Sequence, residues 1–253
     1  MSAVLGALAL ATGRASSARE SYRNPTPGAA IVLQIPGMHR AKVTRNVVYA
    51  RLAGRALRLD VYRPAASRAG SRLPGVLLVH GITGDPSPKD WGIYVGWGQQ
   101  LAAHGLVGIP FNHTGKRAEV RAALAAVRAQ AGRLGVAGDR LCVASFSAGV
   151  ELGMAVALAD ERVRCALGFY GAPDAGLVRA DMAPVFLAKA GLDSDDINAA
   201  IDRFVAQAQT LGARVRLVVH PNGVHGFDLR TPGARTRAIL REAVRFAKTE
   251  LTR

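Results

Sequence analysis

The stretch that most constrains the fold is an apolar run that ends at a serine and continues as a helical pattern. Residues 141–146 read Leu-Cys-Val-Ala-Ser-Phe, Ser147 follows, and apolar residues at helical spacing continue over 150–158. A serine on the sharp turn between a strand and a helix has its hydroxyl exposed and able to attack. The turn needs small residues two positions before and after the serine, because strand and helix nearly touch there.

Ser147 is the candidate nucleophile because Ser145 and Gly149 supply those small residues. If Ser145 were the nucleophile, Val143 would occupy one of the flanking positions, and a β-branched valine crowds such a turn. The pattern departs from its usual form because Ser145 stands where a glycine is usual. A pentapeptide of this kind is common by chance, so its interpretation depends on the rest of the chain.

The rest of the chain predicts strands that alternate with helices. Strands are expected at 43–50, 57–62, 75–80, 106–110, 140–144, 163–170, 185–190 and 215–220, and helices at 91–103, 117–134, 148–159, 196–211 and 236–251. The first two strands read as an antiparallel hairpin. The alternation that follows predicts a mostly parallel sheet of the α/β class, with eight strands and helices on both faces.

The candidate catalytic residues all follow predicted strands, where open parallel sheets bind their ligands. Residues 80–82 follow the third strand, Ser147 the fifth, Asp193 the seventh and His225 the eighth. A neutral imidazole must take the proton of a serine nucleophile, and a carboxylate must orient that imidazole. The sequence therefore predicts a catalytic triad of Ser147, Asp193 and His225.

Backbone N–H groups must stabilise the oxyanion that forms during acyl transfer. We assign these donors to Ala148, which follows the nucleophile, and to Ile82, which follows His80 and Gly81. Gly81 gives this loop the freedom to turn an N–H inward. We interpret His80 as a brace for the loop and not as a proton donor.

Rival residues exist for the acid and the base. Asp195 and Asp196 lie close to Asp193. Asp196 begins a helix and is expected to cap it, so it ranks second to Asp193 as the acid of the triad. His220 lies at the end of a strand before a proline and is interpreted as structural. The three remaining histidines outside these loops, His39, His104 and His113, fall at the wrong places for this order.

The first 40 residues are expected to form a loose extension, and residues 41–253 a single domain, because no linker or repeat interrupts the chain. Residues 1–11 are apolar and faintly resemble a signal peptide, but no basic residue precedes them, which favours the cytoplasm. No stretch is long and apolar enough to predict a membrane span. Cys142 and Cys165 are interpreted as reduced core thiols.

The net charge of +15 raises the question of a polyanionic partner. The basic residues are mostly arginine and are spread along the chain instead of forming one tract. We interpret them as a solvated surface and expect no nucleic-acid partner.

From about residue 43 to its end, the chain resembles α/β hydrolases of the dienelactone hydrolase and prolyl-oligopeptidase-like esterase group. The resemblance lies in 59–64 (Leu-Asp-Val-Tyr-Arg-Pro), 80–81 (His-Gly), 145–149 (Ser-Phe-Ser-Ala-Gly), 190–193 (Ala-Gly-Leu-Asp) and 225–227 (His-Gly-Phe). True dienelactone hydrolases carry a cysteine nucleophile, and this chain has Ser147, which favours ordinary carboxylic esters over lactones. The resemblance implies a serine esterase that acts on small esters through an acyl-enzyme, without a metal or organic cofactor.

The residues leave other acyl chemistry open, because a thioesterase, peptidase, acyltransferase or lactone hydrolase uses the same kind of triad. Residues 171–183 are too few to build a substantial cap over the site, so we expect an open pocket and short acyl substrates. The expected pocket walls are Thr83, Trp91, Phe111, Phe146, Tyr170 and Phe227.

Overall fold

An eight-stranded sheet forms the centre of the computed structural model, which describes residues 28–52 and 54–253. The strands are β1 (Lys42–Leu52), β2 (Arg55–Arg63), β3 (Leu73–Val79), β4 (Val107–Pro110), β5 (Val136–Phe146), β6 (Val163–Phe169), β7 (Val185–Ala190) and β8 (Val215–His220). Their spatial order is β1-β2-β4-β3-β5-β6-β7-β8. Strand β2 is antiparallel to both of its neighbours, β1 and β4, and the six strands from β3 to β8 are parallel to one another.

Helices cover both faces of the sheet. They are α1 (Gly92–Ala103), α2 (Arg117–Ala129), α3 (Ala131–Leu134), α4 (Gly149–Ala157), α5 (Asp195–Thr210), α6 (Phe227–Arg230) and α7 (Ala234–Thr252). Short 3-10 turns lie at Met38–Arg40, Pro88–Asp90 and Ala175–Leu177. The predicted mostly parallel eight-stranded sheet with helices on both faces is confirmed.

The core divides into two clusters because successive side chains of a strand point to opposite faces. On β5, Leu141 and Val143 pack with α2, α4 and α5, whereas Ala144 and Phe146 pack with α1 and α7. Every strand in the middle of the sheet is therefore apolar on both faces, which explains the continuous apolar runs in the sequence.

Most predicted elements differ from the structure by a few residues at their ends, and one helix and one strand differ most. The expected helix over 117–134 breaks at Gln130, whose ψ of 15° closes α2, and Gly135 in a left-handed conformation ends α3. The expected strand at 140–144 begins four residues earlier, because Val136 pairs with Leu73 of β3. Asp139 and Arg140 interrupt the apolar pattern there, and the pairing with β3 shifts register between Val136 and Leu141.

The prediction of reduced thiols was wrong, because Cys142 and Cys165 form a disulfide. The two residues lie directly opposite each other on β5 and β6, with their Cα atoms 4.7 Å apart. This pairing depends on the register of two strands, which the spacing of the cysteines does not reveal. Disulfides persist mainly in oxidising compartments, whereas the sequence favoured the cytoplasm.

The end of the expected N-terminal extension packs against the domain. Ile31 and Leu33 are buried beside α1, and the amide of Gln100 donates to the carbonyl of Leu33 at 2.6 Å. The apolar segment at 1–11 lies outside the described residues. Among the described helices, none is long and apolar enough to cross a membrane.

Candidate active site

Ser147 lies on a strained turn between β5 and α4. Its φ of 54° places it in the left-handed region, which non-glycine residues rarely adopt. Gly149 makes the turn possible, since a Cβ there would collide with the carbonyl oxygen of His80 and lie 2.8 Å from that of Val79. The N–H of Ser147 donates to the carbonyl of Phe169 at 3.0 Å. The hydroxyl therefore stands at the carboxyl edge of the sheet, as the sequence predicts.

Ser147, His225 and Asp193 lie in one hydrogen-bonded row. The Oγ of Ser147 is 2.7 Å from Nε2 of His225, and Nδ1 of His225 is 2.8 Å from Oδ2 of Asp193. Since a carboxylate can only accept, Nδ1 carries the proton and Nε2 accepts from the serine hydroxyl. Exposure falls along the row, from 17% for the His225 side chain to 1% for that of Asp193. In this arrangement, Nε2 of His225 can take the hydroxyl proton of Ser147, and the resulting imidazolium is paired with the carboxylate of Asp193.

The rival residues lie elsewhere. Asp195 and Asp196 occupy the first turn of α5 with exposed side chains. His220 is buried and its Nε2 lies 3.0 Å from the hydroxyl of Thr236. The carboxylate that reaches His225 is thus that of Asp193, the first candidate of the sequence analysis.

The two expected oxyanion donors belong to loops that meet at Ser147. A Cβ on Gly81 would lie 3.5 Å from Oγ of Ser147, so the loop after β3 passes directly beside the nucleophile. The N–H of Gly81 is occupied, since it donates to the hydroxyl of Tyr94 at 3.1 Å. Within residues 28–52 and 54–253, the N–H groups of Ile82 and Ala148 have no acceptor. Both remain available to a substrate oxygen.

His80 and His113 form a stacked pair behind this loop, and the sequence did not predict the role of His113. Their ring centroids are 3.7 Å apart. The N–H of His113 donates to Nε2 of His80 at 3.2 Å, and Nδ1 of His80 lies 2.6 Å from the carbonyl of Gly81. The Nε2 of His113 lies 3.1 Å from the carbonyl of His80. The pair therefore ties the loop after β3 to the loop after β4.

Both histidines of this pair are held neutral. Burial, together with the neighbouring His113, lowers the pKa of His80 to about 3. Burial likewise lowers the pKa of His113 to about 4. Neutral rings allow each nitrogen a defined donor or acceptor role, which fixes the loop that carries Ile82.

The residues expected to line the pocket differ in how deeply they are buried. Phe111, Phe146 and Phe227 are fully buried, which places them in the core and not on a pocket wall. Trp91 and Tyr170 are nearly buried, and Thr83 is half-buried. Large aromatic side chains suit a buried core as well as a pocket wall, so the sequence does not separate the two.

Two exposed apolar side chains beside the triad were not predicted as walls. Ile82 is 59% exposed and Leu192 is 61% exposed, the largest values among the exposed large hydrophobic residues of the described chain. Ile82 is itself an expected oxyanion donor and Leu192 directly precedes Asp193, and these positions in the sequence were the available signal. In the described part of the chain, no group of three or more His, Cys, Asp or Glu side chains could hold a metal ion.

Comparisons with solved structures agree with the fold described above. Three structures of esterase 2 from the planctomycete Thermogutta terrifontis are similar to this chain. The form phosphoramylated by tabun has a TM-score of 0.70 and 18% identity, covering 85% of this chain and 96% of that one. The butyrate-bound form has a TM-score of 0.70 and 19% identity, with 85% and 95% covered. The propionate-bound form has a TM-score of 0.68 and 18% identity, with 86% and 95% covered.

These likenesses show the α/β-hydrolase fold. No curated protein sequence matches the chain. The family model for the dienelactone hydrolase family matches residues 99–249, which is more than half of the chain and includes Ser147, Asp193 and His225. The chain belongs to the dienelactone hydrolase family.

Proposed function

We propose that this protein is a serine hydrolase that cleaves carboxylic esters of small substrates through an acyl-enzyme intermediate. The observation that carries the proposal is the row of hydrogen bonds from Ser147 to His225 at 2.7 Å and from His225 to Asp193 at 2.8 Å. Ser147 is the nucleophile, His225 the general base, and Asp193 the carboxylate that orients the imidazole.

Acylation begins when Nε2 of His225 takes the hydroxyl proton of Ser147 as Oγ attacks the ester carbonyl carbon. The C=O double bond becomes a C–O⁻ single bond in the tetrahedral intermediate. When the intermediate collapses, the bond to the alcohol oxygen breaks, and the imidazolium gives its proton to that oxygen. Asp193 stabilises the imidazolium throughout, because its carboxylate lies against the Nδ1 proton.

Deacylation repeats these steps with water. His225 takes a proton from a water molecule as its oxygen attacks the acyl carbon. When this second tetrahedral intermediate collapses, the bond between the acyl carbon and Oγ of Ser147 breaks, and the imidazolium gives its proton to Oγ. The products are a carboxylic acid and an alcohol, and the enzyme is regenerated. No residue other than the triad has to change its protonation state.

The N–H groups of Ile82 and Ala148 are the proposed donors to the oxyanion. Preorganised N–H groups stabilise charge that develops only in the transition state, and losing one such donor typically lowers kcat by about 10² to 10³. Two features support the assignment. Both N–H groups lack an acceptor in the described chain, and the stacked histidines hold the loop of Ile82 in place.

Short acyl groups are the proposed preference. The connection between β6 and β7, residues 170–184, holds one 3-10 turn and no longer helix. Butyrate and propionate, which are bound in two structures of the similar esterase 2 from Thermogutta terrifontis, are short acids of the same kind. The exposed side chains of Ile82 and Leu192 offer apolar surface to such groups.

A matched substrate panel tests the proposed activity. Acetate and butyrate p-nitrophenyl esters, a thioester, an anilide and a five-membered lactone are assayed with the wild type and Ser147→Ala. We expect the esters to have the highest kcat/KM, and the activity to disappear in Ser147→Ala while the protein remains folded. A folded wild type with higher kcat/KM on the thioester, the anilide or the lactone would contradict ester specificity.

A further inference from the structure

A buried carboxylate lies next to the site and has no role in the proposed reaction. Asp228 is fully buried in α6, three residues after His225. Its Oδ2 accepts from the indole N–H of Trp97 at 2.9 Å, and its Oδ1 accepts from the hydroxyl of Tyr170 at 2.8 Å. Burying a carboxylate is costly, so both oxygens are occupied by directed donors.

Tyr170 connects this carboxylate to the catalytic imidazole. Its ring packs edge-to-face against the ring of His225, with centroids 5.1 Å apart, and against Phe227 at 5.5 Å. Its φ of 37° lies in the left-handed region, and its N–H donates to the carbonyl of Ala188 at 2.9 Å. Such a backbone persists only where its surroundings hold it in place. The ring is therefore set by contacts at both of its ends.

Three separate parts of the chain meet at Asp228. Trp97 belongs to α1, Tyr170 follows β6, and the N–H of Val32 donates to the backbone carbonyl of Asp228 at 2.7 Å. The short helix α6 has only four residues and cannot hold itself in place. Its position, and that of His225 just before it, depends on these contacts.

We propose that Asp228 is a positioning residue: by tying Tyr170 and Trp97 together, it holds the Tyr170 ring against His225 and keeps the imidazole in line between Ser147 and Asp193. This inference rests on the proposed function of the triad. A supporting residue of this kind acts on kcat, because a displacement of about 1 Å at reacting groups can cost about 10²-fold in rate.

The carboxylate can be replaced by an amide without losing the ties. In Asp228→Asn, the side-chain oxygen can accept from Trp97, and the NH₂ group can donate to the hydroxyl oxygen of Tyr170. In Asp228→Ala, the indole N–H and the tyrosine hydroxyl are both left without an acceptor. The two variants therefore separate the effect of the hydrogen bonds to Trp97 and Tyr170 from the effect of the negative charge of Asp228. Burial raises the pKa of Asp228 to about 6, so a comparison at pH 8 is made with the carboxylate ionised.

The experiment compares Asp228→Ala, Asp228→Asn and Tyr170→Phe with the wild type at pH 8. Tyr170→Phe keeps the ring and removes only the hydroxyl that reaches Asp228, so it tests the tie even if Asp228→Ala fails to fold. Tyr62→Phe is the matched control, since the hydroxyl of Tyr62 is buried in the described chain without a hydrogen bond. Active sites are counted by fluorophosphonate titration, so that kcat is given per active site, and KM is measured in the same assay.

We expect Asp228→Ala to lower kcat about 10- to 100-fold with KM nearly unchanged, and Tyr170→Phe to lower it about 3- to 10-fold. Asp228→Asn should recover most of the rate that Asp228→Ala loses, and Tyr62→Phe should match the wild type.

A merely structural role would lower the melting temperature and the number of active sites but leave kcat per site unchanged. That result in folded Asp228→Ala or Tyr170→Phe would overturn the inference. It would also be overturned if Asp228→Asn were as slow as Asp228→Ala, which would mean that charge matters and position does not. A wild type that is neither titrated nor active would refute the proposed triad itself, and the inference with it.

Discussion

At the scale of single residues, the candidate site depends on groups behind the loops that meet at Ser147. The hydroxyl of Tyr94 accepts from the N–H of Gly81, whereas the next N–H, that of Ile82, has no acceptor among the described residues. The stacked rings of His80 and His113 hold the same loop from behind. Preorganisation of this kind is what makes an oxyanion site effective, because donors already in place need not reorganise during the reaction.

The acid of the triad is tested by two matched substitutions. Asp193→Asn should lower kcat about 10⁴-fold, because an amide does not hold the imidazole in the required tautomer. Asp196→Asn should change kcat less than twofold, since Asp196 is exposed in the first turn of α5. Steady-state kinetics on p-nitrophenyl butyrate measures both. If Asp196→Asn lost more activity than Asp193→Asn, the acid would be Asp196.

The buried histidine pair makes the fold sensitive to acid. The pKa of His113 is lowered to about 4, below the usual 6.5, so the unfolded state binds a proton that the native state does not bind between these values. The stabilisation is therefore fully present above about pH 6.5 and is lost as the pH falls towards 4. This one group accounts for at most about 3 kcal/mol of unfolding free energy.

His113→Asn should reduce this acid sensitivity. Urea unfolding at pH 4, 5, 6 and 7 should give a shallower decline of unfolding free energy than in the wild type, by up to about 1.4 kcal/mol per pH unit. The pKa of Asp228 is raised to about 6, so its contribution to the unfolding free energy falls as the pH rises, but this contribution is present in both proteins. His39→Asn, at an exposed histidine, is the control. Equal slopes in wild type and His113→Asn would contradict a buried neutral His113.

The three residues of the hydrogen-bonded row could be predicted from the sequence as neighbours in space, whereas the residues that support them could not. Ser147, Asp193 and His225 each follow an apolar strand, and parallel strands end at the same edge of a sheet. His113 contacts His80 across 33 residues, and Asp228 contacts Trp97 across 131. These contacts depend on how loops pack side by side, and no periodic pattern records that.

At the scale of elements, the end of β3 and the start of α4 lie so close together that position 149, two residues after Ser147, requires a glycine. Gly149→Ala would place a methyl group against the backbone oxygens of Val79 and His80, where no side chain can rotate away. We expect a loss of about 3 kcal/mol or more of unfolding free energy, since overpacking against backbone forces the elements apart. Gly84→Ala, where a Cβ meets nothing within 4 Å, should be nearly neutral. Equal stability of the two variants in urea would contradict the tight turn.

The short connection between β6 and β7 predicts the dependence on acyl length. A long chain needs an apolar tunnel, and each methylene contributes only about 0.8 kcal/mol even when fully covered. On p-nitrophenyl esters from acetate to palmitate, kcat/KM should stop rising beyond about six acyl carbons. A maximum at the longest chains, with a jump when substrate droplets form, would mean that a lid covers the site.

Two strands were predicted with their correct boundaries. The strands at 185–190 and 215–220 match β7 and β8 residue for residue. The break of the long helix at Gln130 was missed because the alanine and arginine pattern continues through it. The short helix α6 was missed because four residues are too few to show a period.

At the scale of the whole molecule, charge and the disulfide bear on where and with what the protein works. The net charge of +15 is spread over the chain, and many arginines are paired, such as Arg128 with Asp160 and Arg214 with Glu250. This supports the interpretation of a solvated basic surface. The expected cytoplasmic location stays a prediction, and the Cys142–Cys165 disulfide favours an oxidising compartment.

Covalent labelling tests the central claim most directly, because it requires an activated serine and no knowledge of the natural substrate. Wild type, Ser147→Ala and Ser145→Ala are treated with a fluorophosphonate probe, and the modified peptide is identified by mass spectrometry. Ser145 is the matched control, since its buried hydroxyl lies two residues from Ser147 on β5 and has no hydrogen-bond partner in the described chain. We predict one label on Ser147 in the wild type, the same label in Ser145→Ala, and none in Ser147→Ala. A label that persists in Ser147→Ala and disappears in Ser145→Ala would contradict the account.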